Sequence, residues 1–558
     1  MNNSYYGNVN PDLLRFMPPD AKVILECGCG EGQLGRAYKD RNPDVFYIGM
    51  ELNPKAAATA RKYLDLVIEG DLEGSTCAEQ IAAKVQAVDC IVYGDVLEHL
   101  RDPWLVLKEH SRLLHENGQV IACIPNVQHW QLLVNLLKGQ WEYQDEGLLD
   151  RTHLRFFTLD SIKQLFQQAT LTIFDIVPRI FEHPHRQGVQ EALWKTAQAL
   201  GVESQQAFAV QTGALQYVVR ALKKPQSDRL LLHSLLGETK VCSRVRIGEP
   251  HAFCLTKPGV RVKHDIDTVV WPPPIQGEKK VFIWQRVAVQ SFAQQEELLR
   301  RKYLIVYEMD DDPDRWENLY KDNGYMAFRS CHAVQVSTEA LAEFIRPYNP
   351  HVKVFENQLA VLPPWQGKIK KEQVHLFFGA LNRKHDWLPI MGKLNSVLEK
   401  TPHQLTVVHD REFFEALETQ HKRFVPFCEY GQYMQLLRQA DVALLPLEEN
   451  RFNSMKSDLK FLECAANGVV CLASPTVYEK SIRQGETGLI YHNLEEFEEK
   501  LQLVMREHSL REEIALRAYA WVKENRLLAR HYQERLSWYA VLWGQYDQLT
   551  EELFQRMK

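Results

Sequence analysis

The chain has 558 residues, 45% hydrophobic and 25% charged, with a formal net charge of −6. That length exceeds one ordinary core, so two or three globular domains are expected. The acidic balance provides no basic face, so nucleic acid is not expected as a partner, although a local basic groove for sugar phosphates stays open.

Eleven cysteines occur, none in C-x-x-C spacing, and Cys27 and Cys29 flank a single glycine. Reduced thiols are expected, not a zinc site. The opening MNNSYYGNVNPDLL has no basic-then-apolar signal, and no run of about 18 apolar residues appears. The expectation is a cytoplasmic protein with at most peripheral contact at the inner face of the cytoplasmic membrane.

In the first 225 residues, apolar runs at 21–27, 45–51, 64–70, 87–94 and 118–124 alternate with amphipathic segments such as PWLVLKEHSRLL (103–114). This alternation predicts a doubly wound α/β sheet with parallel strands, binding its ligand at the strands' carboxyl ends. LTIFDIVPRI (171–180) and ALQYVVRAL (214–222) bring the strands to seven.

The first strand runs into VILECGCGEGQLG (23–35). A dinucleotide fingerprint would need a glycine where Gln33 stands. The chain offers Glu26-x-Gly28-x-Gly30-x-Gly32 instead, with Glu51 ending the next strand and Asp71 following the third. This pattern resembles class I S-adenosylmethionine-dependent methyltransferases. The resemblance implies that Gly28, Gly30 and Gly32 let the backbone approach the cofactor and that Glu26 meets its ammonium group. It also implies that Glu51 accepts from the ribose hydroxyls and that Asp71 faces the adenine.

GDVLEHLRDP (94–103) resembles the segment after the fourth strand in the small-molecule branch of that superfamily, and Asp95 is assigned to the cofactor. Asp95, Glu98 and His99 are expected on the first turn of a helix. Three roles stay open for Glu98 and His99: lining and capping, a substrate-facing or proton-accepting His99, or the divalent metal that a similar x-x-E-H segment carries in ubiquinone-biosynthesis O-methyltransferases. His99 is taken as catalytic and no metal is expected.

GLLDRTHLRFFTLDSIKQLFQQA (147–169) resembles a stretch of methyltransferases from bacterial surface-polysaccharide clusters. In it Asp150, His153 and Arg155 either make a base or pin a lid, since an aspartate that orients a histidine yields a base near neutral pH. Thr158 reads as a helix N-cap.

KKPQSDR (223–229) opens a linker placed at 223–239, and WPPPIQGEKK (271–280) reads as a surface loop. YLIVYEMDDDPDRW (303–316) ends a strand in Asp310, Asp311 and Asp312, which is either an Asp-x-Asp metal motif or an aspartate-rich strand end. AVQVSTEALAEF starts a strand-to-helix unit capped at Ser337 and Thr338. VHLFFGALNRKHDW (374–387) places Arg383 and Lys384 after a strand.

Residues 440–501 resemble the donor-binding half of group-1 GT-B glycosyltransferases. By that resemblance Arg383 and Lys384 neutralise the leaving diphosphate, with a solvated basic loop as the alternative, and Glu463 holds the nucleotide's ribose. The family's E-x7-E pattern is broken, because Met455 stands where the first acid belongs. Lys456 and Ser457 occupy the helix mouth, followed by Asp458. The tail (529–557) is expected as one long amphipathic helix packing back across both halves.

The resulting map has a Rossmann-like methyltransferase domain at 1–222, the linker, GT-B lobes at 240–365 (acceptor) and 366–530 (donor), and a closing helix at 531–558. The resemblance implies an S-adenosylmethionine-dependent methyltransferase joined to a hexosyltransferase using a nucleotide-diphosphate sugar, both acting on a bacterial surface glycan or lipid-linked oligosaccharide. The alternative is a glycan methyltransferase whose GT-B-like half only binds glycan.

Overall fold

The computed structural model describes residues 7–74, 77–226, 228–237, 241–287, 292–316, 319–368, 373–381, 383–399 and 401–558. They fall into two units. One runs to Asp228 and takes in Thr256–Gly259; the other holds Arg229–Leu255 and Val260–Lys558.

In the first unit seven strands form one sheet: β1 (Val23–Cys27), β2 (Phe46–Glu51), β3 (Leu66–Glu69), β4 (Val88–Gly94), β5 (Leu114–Pro125), β6 (Thr172–Ile180) and β7 (Ala214–Leu222). Their order is β3-β2-β1-β4-β5-β7-β6. β1 to β5 run parallel, whereas β7 is antiparallel to both β5 and β6. Helices cover both faces, so the inner strands bury nearly every side chain. Leu25, Ile48, Ile91, Leu107 and Phe166 join one core. The order reverses between β1 and β4, which opens a crevice at their carboxyl ends.

Asp95, Glu98 and His99 do not start a long helix. Asp95 has φ +55°, Leu97–His99 form a single 3-10 turn, and the helix begins at Pro103 under an Asp102 cap. Thr158 does cap the helix Leu159–Gln168, in a reciprocal box with Ser161.

The second unit holds two six-stranded parallel sheets. The first contains β8 (Leu230–Leu236), β9 (Val260–Ile266), β10 (Lys279–Gln285), β11 (Leu304–Met309), β12 (Ala333–Val336) and β13 (Val352–Val354), in the order β13-β12-β11-β10-β8-β9. The second contains β14 (His375–Gly379), β15 (Gln404–Val408), β16 (Lys422–Val425), β17 (Val442–Leu445), β18 (Val470–Ala473) and β19 (Leu489–Ile490), ordered β16-β15-β14-β17-β18-β19.

Two expectations are corrected here. The stretch 223–239 is not all linker, because β8 pairs with both β9 and β10; the apolar run LLLHSLL belongs in a sheet. The tail is two helices, Leu528–Gly544 and Tyr546–Met557, broken at Gln545. Tyr532, Tyr539, Leu542 and Leu549 pack into the core of the first sheet with Leu232, Ile283 and Val306. Among the described residues no helix is long and apolar enough to cross a membrane, and the described cysteines are free.

Candidate active sites

A cleft of about 1400 Å³ opens over the carboxyl ends of β1, β2 and β4, and Glu26, Gly28, Gly30, Glu51, Asp71, Asp95, His99, Asp150 and His153 all line it. The chain turns out of β1 through three left-handed glycines, with φ +72° at Gly28, +54° at Gly30 and +78° at Gly32. A Cβ on Gly28 would lie 2.6 Å from Val96, so only glycine lets β1 pass this close to the β4 loop. Gly32 does not line the cleft. It precedes the helix Gln33–Lys39, and a Cβ there would lie 3.0 Å from Ala60, so this glycine serves helix packing.

Glu51 accepts from the amides of Gly30 (2.8 Å) and Asn53 (2.8 Å), which locks the glycine turn onto β2. Glu26 is 6% exposed and accepts from the Tyr47 hydroxyl at 2.9 Å. Burial, with the Glu51 charge beside it and the Tyr47 bond opposing, pushes its carboxyl up to about 8. A buried carboxyl beside a second acid at a cleft wall is built to receive a cation. Asp71 lies exposed at the rim, accepting from the Glu73 amide (2.9 Å) and pairing with Arg101 (3.7 Å). Asp95 accepts from Gln216; burial, opposed by Arg179, raises it to about 6.

Across the cleft the histidines meet edge to face, with 4.7 Å between the His99 and His153 ring centres. His99 Nδ1 faces the Thr152 carbonyl (3.2 Å) and the Thr152 hydroxyl (3.0 Å). A carbonyl only accepts, so Nδ1 carries the proton and Nε2 holds the free lone pair. The Thr152 hydroxyl donates to Asp150 at 2.7 Å. Asp150 therefore supports His99 through Thr152; the His153 amide donates to the Asp150 carbonyl (3.0 Å), but among the described residues no hydrogen bond joins the Asp150 carboxylate to the His153 ring. Against the burial that opposes it, the two Thr152 bonds keep the Asp150 carboxyl low.

His153 is fixed in the same way, its Nδ1 3.2 Å from the Leu148 carbonyl. Burial lowers both histidines, and the His153 charge lowers His99 further, so both are neutral at pH 7. Glu98 is 1% exposed and burial holds it well above the usual carboxyl range. Glu98 Oε2 and His99 Nε2 are buried and have no hydrogen-bond partner among the described residues. Glu98, His99 and His153 present ligand atoms within 4.8 Å of one another, a donor set of one carboxylate and two imidazoles that suits a divalent metal.

Arg155 takes no part in this network. Its side chain bonds the Arg101 carbonyl and lies over Trp104, so it pins the loop. Thr152 is the residue that sequence reasoning missed. Its only signal is its position two after an aspartate, the spacing of an Asx turn.

In the second unit, Arg383 precedes the helix Lys384–Glu399. It donates to Asp386 (3.2 Å) and Asn453 (3.1 Å), and Asn453 donates back to Asp386 at 2.6 Å. Lys384 does not join it: it points outward and pairs with exposed Glu412 at 2.8 Å. The second cation is Lys456, whose Nζ lies 4.0 Å from the Phe452 ring centre, with the Arg383 guanidinium 5.7 Å from the same ring. Burial lowers the Lys456 ammonium, which Asp311 opposes and Arg383 reinforces.

Each aspartate of 310–312 is matched to a base: Asp310 to Arg286 (2.6 Å), Asp311 to Lys456 (3.2 Å) and Asp312 to Arg451 (3.3 Å). Ser457 accepts from Asn357 at 2.7 Å. Asp458 takes two bonds from Arg526, at 2.7 and 2.8 Å. Glu463, 2% exposed, accepts from the Tyr430 hydroxyl (3.1 Å), and Arg244 stacks on Tyr430. Met455 is buried in the core of the first sheet, which accounts for an apolar residue at that position.

The seven-stranded order with its antiparallel β7, and a glycine turn beside acidic strand ends, define the first unit as a class I methyltransferase fold. Two parallel Rossmann-like sheets in one unit define the second as a GT-B fold. Residues 4–175 match the family model described as a methyltransferase domain, and residues 388–537 match the one described as glycosyl transferase-like. The chain thus carries a methyltransferase domain followed by a glycosyl transferase-like one.

The ubiquinone biosynthesis O-methyltransferase of Cereibacter sphaeroides is 25% identical over 175 residues, 30% of this chain and 68% of that protein. Its Pseudomonas aeruginosa counterpart is 27% identical over 180 residues, 30% of this chain and 75% of that protein. Among solved structures, a SAM-dependent methyltransferase of Thermotoga maritima shows 18% identity, covering 39% of this chain and 91% of that chain, with a TM-score of 0.28. S. aureus TarM, solved with fondaparinux, α-GlcNAc-glycerol and UDP, shows 11% identity and a TM-score of 0.36; the match covers 47% of this chain and 55% of that one.

Proposed function

We propose that the first unit transfers a methyl group from S-adenosylmethionine to a hydroxyl of a glycan or lipid-linked oligosaccharide, with His99 as the base. The second unit, in this reading, transfers a hexose from a nucleotide diphosphate to the same class of acceptor in surface-glycan synthesis. The observation that carries the first half is the cleft itself, where Glu26 and Glu51 stand at neighbouring strand tips opposite a histidine with a free Nε2 lone pair.

The residues suit the cofactor. The glycine turn admits a ligand against the backbone, Glu26 supplies the counter-charge for an ammonium group, Glu51 sits beside the turn for the ribose, and Asp71 lies at the adenine end. S-adenosylmethionine supplies an electrophilic methyl group on a sulfonium. The chain's own work is to orient the acceptor hydroxyl and take its proton at His99 Nε2. The resulting imidazolium is stabilised by the Thr152 carbonyl and by Asp150 acting through the Thr152 hydroxyl. The oxygen acceptor agrees with the O-methyltransferase names of the relatives.

A second reading rests on the Glu98–His99–His153 donor set. A divalent cation held there would polarise the acceptor hydroxyl and lower its pKa. Transfer assayed by mass spectrometry before and after chelation separates the two: unchanged turnover supports the free base, and loss restored by a divalent cation assigns the trio to a metal.

In the second unit, Arg383 and Lys456 are placed to meet charge growing on the leaving diphosphate, an interaction stronger in the transition state than in the ground state. Glu463 is the candidate for the donor's ribose. Because Met455 replaces an acid, glycan binding without turnover is the alternative for this half. Release of nucleoside diphosphate from a panel of nucleotide-sugars, lost on Arg383→Ala, supports transfer; no release from any donor favours binding alone.

A further inference from the structure

In the second unit a cavity of about 400 Å³ is lined by Arg535, Gln358, Pro250 and Leu528, among others. It shares no residue with the Arg383–Lys456 cluster. Arg535 lies on the helix Leu528–Gly544 and is 4% exposed. Its guanidinium covers the Phe355 ring at 4.5 Å. Among the described residues no carboxylate lies within ion-pair reach of it.

Its surroundings do not supply the missing charge. Glu308, the acid whose field reaches it, is already engaged by Arg246 (2.7 Å) and Gln335 (2.6 Å). Tyr539 offers only a neutral hydroxyl. The acids on the cavity rim are taken as well: Glu339 pairs with Arg346 (2.6 Å), Glu356 with Arg526 (3.8 Å) and Glu534 with His531 (3.0 Å). A buried guanidinium without a counter-charge is costly, and folds rarely keep one unless something else pairs with it. Two buried polar atoms on this cavity's residues lack partners among the described residues, and they differ in kind: Arg535 Nη1 is a donor and Gln358 Oε1 an acceptor.

A ligand that satisfies both atoms carries an anionic oxygen and a hydroxyl. Pro250 and Leu528 add an apolar wall, and a volume near 400 Å³ fits one sugar ring and not a chain of them. We propose that this cavity binds a single anionic sugar unit, its anionic oxygens on Arg535 and a ring hydroxyl on Gln358. The anion is a carboxylate or a phosphate.

The test is calorimetric titration of the full chain with glucuronate, glucose 1-phosphate and neutral glucose, repeated in an Arg383→Ala, Lys456→Ala background to silence the donor cluster. The expected result is saturable one-to-one binding of glucuronate, of glucose 1-phosphate or of both, retained in that background, with glucose at least about tenfold weaker. Which of the two binds names the anion. Arg535→Met abolishes binding, and Gln358→Leu weakens it about tenfold while leaving the guanidinium in place. Arg535→Met should melt no lower than the wild type, since it removes an unpaired charge, and the sugar should raise the melting temperature of the wild type but not that of Arg535→Met. Absence of binding at about 10 mM, equal binding of glucose, binding that survives Arg535→Met, or binding unchanged by Gln358→Leu overturns the proposal.

Discussion

Glu26→Gln tests the cleft by charge alone, because glutamine keeps the size and the bond to Tyr47. In the free protein the Glu26 carboxyl titrates at about 8 instead of 4.5, so the folded state holds a proton there that the unfolded state has released between those two values. Wild-type stability therefore falls as pH rises through this window, by about 5 kcal/mol in all at 1.36 kcal/mol per unit. The variant lacks this slope. An ammonium ligand binds only the ionised carboxylate, so below pH 8 each unit of acidification should cost wild-type affinity about tenfold. Loss of a proton from the ligand's own amine affects both proteins alike. The ratio of wild-type to Glu26→Gln affinity for S-adenosylhomocysteine, measured by calorimetry, should thus rise about tenfold per unit from pH 6 to 8 and then level. A flat ratio across that range would refute the pairing of Glu26 with an ammonium group.

Further outcomes follow from the other contacts. His99→Ala should lower methyl transfer by about 100- to 10,000-fold. Thr152→Val should lower kcat about tenfold and move the acid limb of the pH profile to lower pH, because the imidazolium loses one acceptor; an unmoved limb would detach Thr152 from His99. Arg383→Ala and Lys456→Ala should each cut sugar transfer about 100-fold or more, whereas Lys384→Ala should leave it near wild type, its partner Glu412 being an exposed surface group. Asp458→Asn should destabilise the second unit by about 3 kcal/mol in urea unfolding, because it strands the buried Arg526.

The sheet of the first unit and its acidic strand tips were legible because strand ends are fixed by apolar runs and glycines, both local signals. Glu26, Glu51 and Asp71 fall into one cleft for that reason. The pairing of Arg383 with Lys384 failed for a helical reason: successive helical residues turn by about 100°, and Lys384 is the first residue of a helix, so it faces Glu412 while Arg383 faces Asn453. Lys456, the actual neighbour, is far along the chain and no spacing reveals it. The Asp150–Thr152–His99 chain was half visible. The sequence marks its acid and its histidines, but which histidine is served depends on how the 147–155 loop folds over the 3-10 turn. β8 was hidden by the polar KKPQSDR that precedes it, and the break at Gln545 by an apolar stripe that continues on both sides.

The most direct measurement is calorimetric titration of the intact chain with S-adenosylhomocysteine. One binding event per chain, abolished by Glu51→Ala and unaffected by Arg383→Ala, is the predicted result. No heat with that nucleoside, or stronger binding of a nicotinamide dinucleotide in its place, would contradict the assignment of the first unit.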